Sequence, residues 1–64
     1  MNKIVKINDL LKKYQTGNKK QIYKKLNKIL NHNKEDLLLR YNIAVIEQEL
    51  NLNSQARINY NYII

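Results

Sequence analysis

The apolar residues of this chain return at intervals of three and four and scarcely ever alternate, a pattern that leaves one face of an α-helix apolar. Ile4, Ile7, Leu11 and Tyr14 form a first stripe, and Ile22, Leu26, Ile29 and Leu30 a second. Leu39, Ile43, Ile46 and Leu50 form a third, and Ala56, Tyr60, Ile63 and Ile64 a fourth. Proline is absent, so no position in the 64 residues lacks the backbone donor that a helix needs. The expected fold class is all-α, with four helices whose short loops make consecutive helices antiparallel, giving two helical hairpins.

Punctuation between the stripes is sparse. Gly17 is the only glycine and is expected to close the first helix in the left-handed conformation. Asn18 then offers an N-cap, with Gln21 three residues on as the second half of a capping box. The second helix should end in "NHN" at 31–33, with Asn33 capping the third and Glu35 and Asp36 in its first turn. "NLNS" at 51–54 should end that helix near Leu50, with Asn53 or Ser54 capping the fourth.

An offset of 34 residues aligns Ile22 with Ala56, Leu26 with Tyr60, Ile29 with Ile63 and Leu30 with Ile64. The first helices align better at 33, where Leu10 meets Ile43 and Leu11 meets Ala44. In "YNIAVIEQELNLNSQARINYNYII" a large and a small apolar residue, Ile43 and Ala44, precede a loop, and Ala56 is followed four residues later by Tyr60. "LLKKYQTGNKKQIYKKLNKIL" has Tyr14 and Gly17 ahead of Ile22 and Leu26. On these residues the chain resembles the tetratricopeptide repeat family, with one repeat at about 3–34 and a second, incomplete one at about 35–64. It departs from the family pattern at Ile7, Leu11, Arg40 and Glu47, and Lys34 stands where the family commonly has proline.

The resemblance implies a single domain, a short right-handed α-solenoid of four helices that binds a peptide or partner protein on the surface lined by the first helix of each repeat, without catalysis. By that analogy the partner-binding residues are Ile7, Leu11, Tyr14, Leu38, Tyr41, Asn42, Val45 and Glu49. Asn42 corresponds to an asparagine that helps hold a C-terminal carboxylate in chaperone-binding members. The lysine and asparagine expected beside it are here Ile7 and Leu11, which argues against such a clamp. Repeats of this kind bury their apolar faces on one another, and "NYII" falls inside the second helix of the second unit. The expectation is a piece of a longer array, or a unit covered by a partner or by self-association as a homo-oligomer.

Charge divides the chain in two. Residues 1–34 hold ten lysines against Asp9, about +9, and residues 35–64 hold two arginines against four acids, about −2, which sum to the net +7. A basic half admits a second function, nucleic-acid binding through the second helix, with Lys20, Lys24, Lys25 and Lys28 as its residues. Asn, Lys, Ile and Tyr make up 35 of the 64 residues, all with A/T-rich codons, and biased coding accounts for the lysines better than a selected surface does.

Other classes fare worse. One histidine, no cysteine and one glycine leave neither a catalytic triad nor a phosphate-cradling loop. His32 lacks a second histidine and reads as a solvated linker residue, Ser54 reads as a cap, and no cofactor or metal is expected. A non-enzyme is the reading, with the lead-in to a larger enzyme as a remaining alternative. The longest apolar run, Ile43–Ile46, is too short to span a bilayer, so no membrane partner and a cytoplasmic location are expected.

Overall fold

The computed structural model describes residues 3–64, which form four helices and no strand. They are α1 (Lys3–Tyr14), α2 (Lys19–Asn31), α3 (Leu37–Glu49) and α4 (Asn53–Ile63). Each helix packs on the next in sequence, α3 on α4 most extensively, so two hairpins lie against each other through α2 and α3. Tyr14, ending α1, reaches Glu49, ending α3, and Ile4 and Leu38 near their starts border one hollow. The first helices of the two hairpins therefore run parallel. None of the described helices is long and apolar enough to cross a membrane.

Ile7, Leu10 and Tyr14 of α1 meet Ile22, Leu26 and Leu30 of α2 and Leu39, Ile43 and Ile46 of α3 in one core. Complete burial of a side chain such as Leu26 or Ile43 is worth about 1.5–3 kcal/mol. Buried Ala44 and Ala56 add no bulk where α3 and α4 have their extensive contact. The first stripe is displaced from its expected register. Leu10 is buried, whereas Ile4 is exposed and Leu11 only half-buried. Two neighbours claim α1 at once: Leu10 faces α2, Ile7 faces α3, Tyr14 reaches Glu49 of α3, and Ile4 stays at the open edge of the α1/α3 hollow.

Three of the expected helix boundaries have different chemistry. Gly17 has no positive φ. A Cβ there would sit 2.8 Å from the Lys13 carbonyl oxygen and 3.3 Å from Ile22 Cδ1, so this glycine is required by close approach. The left-handed residue is Asn51, at φ 63°, with Asn51 N–H donating to the Gln48 carbonyl and Leu52 N–H to the Glu47 carbonyl. Together these bonds form a Schellman termination of α3. Asn18 caps α2 as expected, its Oδ1 accepting from Gln21 N–H at 3.1 Å.

The α3 cap is Asp36, whose Oδ1 accepts from Leu39 N–H at 3.0 Å, leaving Glu35 ahead of the helix. Asn33 turns back instead, its Nδ2 donating to the Ile29 carbonyl at the end of α2. Neither Asn53 nor Ser54 caps α4: the capping position falls to Leu52, which has no side-chain acceptor.

Candidate functional site

α1 and α3 lie side by side with a shallow hollow between them, about 90 Å³ in volume. Ile4, Ile7, Asn8 and Leu11 form one wall, and Asp36, Leu38, Leu39 and Asn42 the other. On α3 the row Leu38, Asn42, Val45 and Glu49 advances by four, three and four residues, one face of the helix pointing away from its buried side. Leu38 is 73 % exposed, an apolar side chain offered to solvent at the lip of the hollow. Asn42 Nδ2 donates to the Leu38 carbonyl at 3.0 Å, which turns that N–H onto its own helix.

Six of the eight expected partner-binding residues adjoin the hollow or extend its α3 wall: Ile7, Leu11, Leu38, Asn42, Val45 and Glu49. Glu49 accepts from the Tyr14 hydroxyl at 3.2 Å, and burial, followed by the Glu49 charge and this bond, pushes the phenol up from its ordinary pKa. Ile7 and Tyr14 belong to the core, because α1 must cover α2 and α3 with the same side chains that the family analogy assigns to the groove. Tyr41 is half-exposed and points to α4, its ring meeting Tyr60 edge-on at 6.0 Å.

Beneath the surface lies a polar chain that the sequence reading missed. Glu47 is 1 % exposed and accepts from Tyr23 O–H and from Asn59 Nδ2, both at 2.6 Å. Asn59 Oδ1 in turn accepts from Arg40 at 2.9 Å, and a second guanidinium nitrogen donates to the Lys34 carbonyl at 2.9 Å. The guanidinium carbon stands 3.6 Å from the centre of the Tyr62 ring, and Arg40 Nε is left without a hydrogen-bond partner. This chain ties α2, α3 and α4 together. Arg40 and Glu47 are two of the positions where the chain departs from the repeat pattern, and that departure was the available signal.

A second concavity opens between α1 and α2. It encloses about 900 Å³ and is lined by Lys6, Asp9, Leu10 and Lys13 from α1 and by Lys25, Lys28, Ile29 and His32 from α2. At 100° per residue, Lys6 and Lys13 sit nearly opposite Ile4 and Leu11, so this groove faces away from α3. Of the four lysines assigned to nucleic acid, Lys25 and Lys28 line the groove, whereas Lys20 and Lys24 are exposed outside it. At the other end of the molecule, α4 exposes Ile58 (60 %) and Tyr62 (57 %). The chain matches no protein-family model, no curated protein and no solved structure, so the likeness to tetratricopeptide repeats stands on its own residues.

Proposed function

We propose that the chain is a non-catalytic, tetratricopeptide-like scaffold that holds an extended segment of a partner protein against the α1/α3 face. The observation that carries this reading is Leu38, projecting at the lip of a hollow walled by Leu11 and Ile4 while the buried side of α3 is already satisfied. The hollow suits one aliphatic side chain of the partner. The Asn8 amide and the Asn42 side-chain carbonyl at its rim suit the peptide backbone on either side, since buried backbone donors and acceptors need partners. Packing of an exposed leucine against a partner's apolar anchor recovers burial that the free chain forgoes.

Panning a random-peptide phage library against the immobilised chain tests the proposal. Enriched peptides should share an aliphatic anchor, and Leu38→Asp should weaken their binding at least tenfold while leaving the helical circular-dichroism spectrum unchanged. No shared anchor, or binding indifferent to Leu38→Asp, would count against the α1/α3 face.

A further inference from the structure

We propose that the groove between α1 and α2 is a binding site for the phosphodiester backbone of a single nucleic-acid strand. This site is separate from the α1/α3 face. Four lysines and one histidine line it against a single acid, Asp9, with buried Leu10 and half-buried Ile29 also in the lining. Lys6 and Lys13 are seven residues apart on one wall, as are Lys25 and His32 on the other, about 10 Å at the helical rise of about 1.5 Å per residue. The walls are antiparallel, so cationic side chains line both sides along that length.

Three features of the groove select the occupant. A nucleic-acid strand carries a negative charge on every nucleotide whatever its sequence, whereas an extended peptide presents a side chain to one face only every ~7 Å and only some of these are acidic. A nucleic-acid strand therefore brings more negative charge to the same lysines. Helices packed as a hairpin have axes about 8–10 Å apart, so the groove along their outer surfaces is narrow and suits one strand lying lengthwise. No aromatic ring lines the groove, so it lacks a platform for base stacking and reads phosphate without reading sequence. Lysine ammonium groups on flexible stems suit such contacts as point charges.

The test is fluorescence anisotropy of a labelled mixed-sequence single strand with the full chain at about 50 and about 200 mM salt. Four neutralised phosphates give a slope of about −2.8 in log affinity against log salt, a loss of about 50-fold over that range. Lys25→Gln with Lys28→Gln should halve the slope to about −1.4, whereas Lys20→Gln with Lys24→Gln, outside the groove, should leave it nearly unchanged. All four positions are exposed, and unchanged thermal melts would show that both double variants fold. Equal losses from the two pairs would overturn the site in favour of diffuse charge. So would failure to bind at the lower salt. Competition by polyglutamate as effective as that by unlabelled strand would overturn the phosphate assignment, and binding of inorganic polyphosphate without binding of the strand would overturn the nucleic-acid assignment.

Discussion

Glu47 is a buried carboxylate whose two oxygens each take a hydrogen bond from a different helix, Tyr23 on α2 and Asn59 on α4. A buried acid left without partners would cost several kcal/mol, so these donors are a condition of its being there. Tyr23 registers the arrangement in its own titration. Burial first, then the bond to Glu47 and its charge, push the phenol up to about 12. The fold favours the neutral phenol, so this contribution to stability is complete below about pH 10 and lost as pH rises through about 12. Absorbance at 295 nm should therefore show Tyr23 ionising only near pH 12, with the thermal midpoint falling over the same interval. Tyr23→Phe should remove that late step and lower stability by about 1–2 kcal/mol. The sequence displayed Arg40 and Glu47 as misfits in an apolar pattern. It did not display their remedy, because Asn59 lies on another helix and asparagine is common throughout the chain.

The elements themselves were more legible than their ends. Spacing of three and four placed all four helices, since periodicity is sampled over a dozen residues and tolerates an error at any one. A boundary depends on a single competition among neighbours. In "NHNKED" both Asn33 and Asp36 can cap a helix, and the outcome turns on Asn33 being claimed by the Ile29 carbonyl of α2. The left-handed conformation expected at Gly17 is likewise absent there and occurs at Asn51 instead. Gly17→Ala should destabilise by about 1–3 kcal/mol, because its methyl group meets backbone at Lys13. Asn51→Gly should do the opposite, stabilising by up to about 1 kcal/mol by easing the left-handed residue. Urea denaturation of the two variants beside the parent chain checks both signs. The same limit governs the candidate surface: Leu38, Asn42, Val45 and Glu49 could be placed on one face by spacing, but Ile7 and Tyr14 required knowledge of how α1 divides itself between two neighbours.

Across the whole molecule, helices and charge follow the same division. The half holding α1 and α2 carries about +9 and the half holding α3 and α4 about −2, in a body only 29 × 24 × 14 Å. Like charges crowded into the first hairpin repel one another, and raising salt from about 0.1 to about 1 M shortens the screening length from about 10 to about 3 Å. The melting temperature should rise over that range by roughly 5 °C, corresponding to about 1 kcal/mol for a domain of this size. A fall would mean that attractive pairs outweigh the repulsion. The separation of a basic first hairpin from a slightly acidic second one also makes the molecule an electric dipole. Near a negatively charged surface such a body experiences a torque before it makes any contact, so it arrives with the first hairpin leading and α4 turned outward to the solvent.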